Sequence, residues 1–161
     1  LEFCQVIGDR NITEFNYRLS SRDEAFVFAG ISVKNADEAS ALQKSMEAAE
    51  LAVLNLQQNE LAKLHIRHMV GGRCPLVQNE ILYRFEFPER PGALLEFLTR
   101  IGTHWNISLF HYRNHGAAYG RVLVGIEVPP TERGEFRQYL DAIGYTYIDE
   151  TENPAYHRFL R

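Results

Sequence analysis

Leu1-Glu2-Phe3 … Ile7-Gly8 … Asn11-Ile12-Thr13-Glu14-Phe15-Asn16-Tyr17-Arg18 is written again as Leu95-Glu96-Phe97 … Ile101-Gly102 … Asn106-Ile107-Ser108-Leu109-Phe110-His111-Tyr112-Arg113, and this self-similarity decides the fold. The offset is 94 residues up to the glycine and 95 beyond it, and Gly30-Ile31-Ser32-Val33 falls in step on Gly125-Ile126-Glu127-Val128. Such a period means two copies of one supersecondary unit, whereas a solenoid stacks three or more short repeats. Residues 82–94, thirteen in all, have no counterpart before Leu1. With no initiator Met, the sequence reads as a piece of a longer protein that begins partway through its first copy.

Outward from the repeat, apolar Leu1, Phe3, Cys4 and Ile7 make a helical stripe that stops at Gly8. Residues 11–19 alternate and are rich in β-formers, so they read as a strand. Ser20-Ser21-Arg22-Asp23 is a polar turn, and residues 24–33 form its hairpin partner. Residues 37–51 carry Ala41, Leu42, Met46 and Ala49 at helical spacing, and a short strand, 52–56, follows. The second copy adds an opening strand, 81–88, with Leu82, Arg84 and Glu86 alternating against Tyr83, Phe85 and Phe87. Pro91-Gly92 then starts a helix, 93–101; strands 106–113 and 121–128, helix 132–143 and strand 145–149 complete it. The order β-α-β-β-α-β is the ferredoxin-like split βαβ unit, an antiparallel sheet backed by two helices. The fold class expected is therefore α+β, with two ferredoxin-like subdomains, the first without its opening strand. The divisions are 1–58, a linker helix and turn over 59–79, 80–151, and a tail, 152–161, that packs as a short extra helix. Without that strand, a near-central sheet position of the first copy has an unpaired edge, which favours self-association.

Composition narrows the chemistry. At 45% apolar and 12% aromatic residues, the 161 residues suffice for packed cores. No apolar run approaches the roughly 20 residues of a membrane helix, and no signal peptide is present. A net charge of −4 provides no field toward nucleic acid or anionic lipid. Cys4 and Cys74 form no CxxC, so a disulfide framework or zinc site is not expected and a reducing cytoplasm fits best. Histidines 65 and 68, and 111 and 115, lack a third ligand, so no metal is expected. The lysines are Lys34, Lys44 and Lys63, none beside a phosphate-cradling glycine loop, and neither GxSxG nor GxGxxG occurs, so no catalytic residue and no cofactor is assigned.

Several blocks together carry a family resemblance: residues 11–18, Met69-Val70-Gly71-Gly72-Arg73, Phe87-Pro88-Glu89-Arg90-Pro91-Gly92-Ala93-Leu94, Trp105 through Arg113, and the tail Asp149-Glu150-Thr151 … Asn153-Pro154-Ala155. They resemble the C-terminal regulatory region of biosynthetic threonine dehydratase (threonine ammonia-lyase), in its bacterial form, over essentially the whole chain. That resemblance implies two ACT-like subdomains that follow a pyridoxal-phosphate-dependent catalytic domain. It also implies feedback inhibition by isoleucine, antagonism by valine, a tetrameric parent enzyme that deaminates threonine to 2-oxobutanoate, and no nucleic-acid or membrane partner.

The candidate effector residues combine the two lines of reasoning. Phe15 with Tyr17, and Phe110 with Tyr112, share one face of equivalent strands. Ordinary aromatic packing accounts for them, but a tyrosine hydroxyl at depth requires a partner, and the resemblance makes Tyr17 and Tyr112 effector-sensitive. It likewise points to Arg67 and Arg113, whose guanidinium fork matches an α-carboxylate; an ion pair or a solvated charge is the other reading. Pro91 and Gly92 leave amides open at a helix start, where an amino-acid carboxylate can sit beside Glu89 for its ammonium. Leu94, Leu98 and Ile101 form an aliphatic wall or ordinary core. The resemblance adds Arg10, Glu89, Leu94, Leu98 and Ile101 as effector-linked. Two rivals are an assembly module without effector binding and a β-α-β-β-α-β nucleic-acid binder. The acidic charge and the missing basic-aromatic strand motif count against the second.

Overall fold

The computed structural model describes residues 2–68, 70–88, 92–101, 104–113 and 119–161. The strand that follows the first helix of each copy is the seam of the molecule. β1 (Ile12–Arg18) and β2 (Val27–Ile31) form the hairpin of the first copy, with Phe15 opposite Ala29. The second copy contributes β3 (Glu80–Pro88), β4 (Asn106–Arg113), β5 (Tyr119–Glu127) and β6 (Thr146–Asp149). β1 pairs antiparallel with β4, and Asn16 faces His111. These two residues are counterparts in the repeat, so a pseudo-twofold axis passes between them and the aromatic pairs cross: Phe15 opposite Tyr112, Tyr17 opposite Phe110.

The two copies thus share one six-stranded antiparallel sheet, ordered β2-β1-β4-β5-β3-β6, where one sheet per copy was expected. Each copy alone would leave β1 or β4 with an open row of N–H and C=O groups, and joining the two edges satisfies both rows. Within the second copy, the order β4-β5-β3-β6 is the ferredoxin-like arrangement read from its sequence.

Residues 52–56, expected as a strand, form none. Their counterpart β6 has only β3 as a neighbour, and the counterpart of β3 would precede Leu1. A strand without a ladder partner is extended chain, whatever its propensity.

One face of the sheet carries α1 (Glu2–Ile7), α2 (Ala36–Ala48), α4 (Ala93–Ile101) and α5 (Arg133–Ile143) over a single core. Leu42 and Met46, and Phe136 and Leu140, are the anchors of corresponding helices. Phe3, Phe15, Phe110, Phe97 and Phe85 cross the boundary between copies as a row, with ring centroids 5.1–6.0 Å apart in edge-to-face geometry. The opposite face is covered by the linker, as α3 (Glu60–Leu64) and a 3-10 turn (Ile66–His68), and by the tail helix α6 (Pro154–Phe159). Asn59 caps α3 through the Ala62 N–H (2.9 Å) and Asn153 caps α6 through the Ala155 N–H (2.9 Å), as their side-chain chemistry favours. Among the described residues, no helix is long and apolar enough to cross a membrane.

Polar residues are buried beneath this second layer. Glu80 accepts from Arg18, from the Ser108 hydroxyl and from the Tyr156 hydroxyl (2.7 Å). Arg18 also donates to the carbonyls of Gly72 (2.9 Å) and Leu160 (2.8 Å). One buried ion pair therefore joins β1 of the first copy, β3 of the second, the linker and the tail. Gly125 is the residue that makes room for it, since a Cβ there would lie 2.6 Å from Glu80 Oε1.

Candidate functional site

The two copies meet again where α1 ends and α4 begins. α1 stops at Gly8, whose φ of 62° and N–H bond to the Cys4 carbonyl (3.1 Å) turn the chain back toward the sheet. Arg10 then reaches back to the Ile7 carbonyl (3.0 Å) and across to Glu38 on α2 (3.1 Å). Glu38 also accepts from the Lys34 N–H (2.7 Å). That backbone bond and then the Arg10 guanidinium hold its carboxyl below the usual range, against a smaller upward push from burial. In the second copy, Gly92 at φ 77° leads into α4 and accepts the Glu96 N–H (3.0 Å), so Ala93 and Leu94 are buried on the first turn.

A narrow cleft results, lined by Cys4, Gly8, Arg10, Asn11 and Ile12 from the first copy and by Gly92, Ala93, Leu94, Leu95 and Tyr112 from the second. Its volume, about 20 Å³, admits about one water. Burial pushes the Cys4 thiol up, which keeps it neutral and apolar in character. The lining offers one guanidinium, a helix start, one phenol and an aliphatic wall.

Four of the residues proposed from the sequence, Arg10, Gly92, Leu94 and Tyr112, converge on this cleft. The other described ones lie elsewhere. Ile101 is buried in the core and Leu98 packs partly against it. Tyr17, half-buried, is the counterpart of Tyr112 on the other side of the pseudo-twofold axis, where burial first, and then the charges of Cys74 and Glu127, push its phenol up. Arg67 is on the opposite face of the sheet, where it pairs with buried Glu14. Asn16 donates to that same Glu14 (2.9 Å) and to the Arg67 carbonyl (3.4 Å). Arg113 is exposed at the end of β4. Glu89 and Pro91 lie outside the described residues.

Cys4, Asn11 and Ile12 carry no local signal of a site; they reach it through the β1–β4 pairing, and only that pairing could have flagged them. A second groove, lined by Asp9, Arg10, Ser32, Val33, Lys34 and Glu38, is open to solvent beside the cleft. Among the described residues, no group of three His, Cys, Asp or Glu is placed to hold a metal ion.

The profile of the family described as the C-terminal regulatory domain of threonine dehydratase matches residues 1–66 and 72–160. The L-threonine dehydratase biosynthetic IlvA of Burkholderia multivorans is 49% identical over 158 residues, covering 98% of this chain, and that of Escherichia coli is 47% identical over 161 residues, covering 99%. The chloroplastic biosynthetic threonine dehydratase of Arabidopsis thaliana is 49% identical over 147 residues, covering 91% of this chain and 25% of its own length. The chain spans 31% of the length of the two bacterial relatives. A repeat folded into one sheet, with a cleft between its halves, agrees with that match, and the chain belongs to the family of C-terminal regulatory domains of threonine dehydratase.

Proposed function

We propose that this chain is the effector-binding module of a threonine dehydratase, and that the cleft between its copies takes a branched-chain amino acid. Isoleucine is the inhibitor, valine opposes it, and the regulated reaction is deamination of threonine to 2-oxobutanoate. The observation that carries this reading is the convergence of Arg10, Gly92, Leu94 and Tyr112 on one cleft whose walls come from both copies. Arg10 and the amides at the start of α4 suit an α-carboxylate, and Leu94, Leu95 and Ile12 suit the aliphatic side chain.

A cleft that holds about one water has to open before it can hold an amino acid. Opening separates α1 from α4, and so the two copies. A ligand that binds only the open form shifts the molecule toward it by its differential affinity, which is the physical content of the control. One methylene more in an apolar site contributes about 1–3 kcal/mol. Isoleucine is therefore favoured over valine without being exclusive, as competition between antagonistic effectors requires.

Pyridoxal phosphate belongs, in this reading, to the catalytic part of the longer enzyme, within a homo-oligomer in the cytoplasm. The residues described here do not suit it: Lys34 and Lys44 are exposed on open surface, where no Schiff base would be shielded.

The test uses the longer enzyme. Leu94→Phe fills the cleft, and isoleucine inhibition should be relieved while threonine turnover without effector is unchanged. Unaltered inhibition in a folded Leu94→Phe enzyme would move the effector site elsewhere and leave assembly as the role of this sheet.

A further inference from the structure

Arg10 stands on the boundary between the cleft and the open groove beside it, and its donors are already divided. Nε donates to Glu38 Oε1 (3.1 Å) and Nη1 to the Ile7 carbonyl (3.0 Å), so among the described residues Nη2 is the one nitrogen of Arg10 without a partner. A guanidinium grips a carboxylate best through two adjacent nitrogens. Of the pair Nε with Nη2, one donor is held by a carboxylate of the protein itself. An α-carboxylate arriving in the cleft is therefore the second anion on one cation.

The repeat shows that a tether at this place needs no charge. Glu38 stands four residues before Leu42, as Glu132 stands four before Phe136, and Arg10 precedes Asn11 as Trp105 precedes Asn106. In the second copy the Trp105 indole N–H donates to Glu132 Oε2 (2.8 Å). One neutral donor suffices there to tie the turn to the helix. In the first copy a charged fork with a donor to spare takes its place, and that fork lines the cleft. Glu38 can also let go at small cost. Its side chain is 24% exposed, and an ion pair so open to water contributes little. Oε2 is held separately by the Lys34 N–H (2.7 Å), which lowers the carboxyl more than Arg10 does. The groove that receives a displaced Glu38 has a volume of about 510 Å³ and is lined by Lys34, a second cation for it.

On the reading of the cleft as the effector site, we infer that Glu38 is a built-in competitor of the effector. It occupies the edge of Arg10 that an α-carboxylate takes, moves toward Lys34 when the ligand binds, and so sets the effector concentration at which the module responds. The competition is between two carboxylates for one guanidinium, so it acts on the head of the ligand and leaves the choice of side chain to Leu94 and Leu95.

The experiment measures isoleucine binding to the longer enzyme by calorimetry, for the unchanged enzyme and for Glu38→Gln, Glu132→Gln and Leu94→Phe. Glutamine keeps an acceptor for the Lys34 N–H and removes the competing charge. Glu38→Gln should bind isoleucine about two- to fivefold more tightly, the factor that an exposed ion pair contributes. Glu132→Gln makes the same change in net charge where the partner is an indole, and should leave the affinity unchanged. Weaker binding in Glu38→Gln overturns the inference, since Glu38 would then hold Arg10 in place or accept the ligand's ammonium. Equal tightening in both glutamine variants overturns it too, because the effect would belong to the overall charge. If Leu94→Phe weakens isoleucine while Glu38→Gln changes nothing, the competitor fails and the cleft reading stands. If neither variant alters binding, the cleft reading itself falls, and the competitor with it.

Discussion

Arg18→Met is the substitution that most directly probes how the copies are joined. The Arg18 and Glu80 side chains are each 5% exposed, and Arg18 is the cation on Glu80. Methionine keeps the aliphatic stem and removes the charge. Glu80 retains the Ser108 and Tyr156 hydroxyls, two neutral donors that do not replace a guanidinium. The Gly72 and Leu160 carbonyls lose their donor at the same time. Breaking a buried pair from one side costs about 3–5 kcal/mol, because the remaining charge is buried without compensation. With a urea dependence of about 2 kcal/mol per molar, that lowers the unfolding midpoint by roughly 2 M. Removing both partners, as Arg18→Met with Glu80→Met, should restore more than half of the loss, since two apolar groups require no pairing. Urea unfolding at neutral pH, followed by circular dichroism, gives all of these midpoints. A loss below about 1 kcal/mol for Arg18→Met would mean that water reaches the pair, the value typical of a surface salt bridge, and the four-way junction would not be holding the copies together.

Corresponding glycines should respond unequally to alanine. Gly125→Ala places a Cβ 2.6 Å from Glu80 Oε1 and 3.0 Å from Leu109 Cβ, and should lower thermal stability by the 1–3 kcal/mol typical of overpacking. Gly30→Ala meets the rotatable Thr13 hydroxyl at 2.5 Å and Glu14 Cβ only at an ordinary 3.4 Å, and should cost less than Gly125→Ala by calorimetry; the reverse order would refute the packing. In acid, Glu127 should contribute a defined loss. Burial pushes its carboxyl up, but the Gln78 N–H, Arg22 and Asn106 together outweigh burial and leave it below its ordinary value of 4.5. Its contribution is therefore present above pH 4.5 and lost as pH falls through the native value, and Glu127→Gln should flatten the stability profile below pH 4.5. In alkali, burial and then the Asp149 charge push the Tyr83 phenol up to about 12 from 10.0. Its stabilisation is present below pH 10.0 and lost as pH rises toward 12; an unchanged alkaline profile in Tyr83→Phe would contradict this.

The repeat, the β-α-β-β-α-β order and the helical stripes were legible in the chain because they rest on local periodicity: period two in the strands, 3.6 in the helices, glycine at their ends. The regulatory family was legible for a related reason, since its blocks are contiguous segments. How the copies meet was not. Nothing within residues 12–18 distinguishes an edge facing solvent from one facing residues 106–113, because ladder bonds use backbone groups common to all residues. The pairing alone brings Cys4, Asn11 and Ile12 of the first copy to Gly92, Leu94 and Tyr112 of the second. For the same reason Glu14, Asn16 and Arg18, which alternate as a solvated strand face does, turned out to be buried under the linker and tail. Residues 52–56 had strand propensity without a partner, and a ladder is a property of two segments. The sequence by itself determined the repeat and, residues 52–56 aside, the order of its elements. Only the tertiary structure decided that the two copies share one sheet, because hydrogen bonding and burial across a seam depend on which edge arrives there.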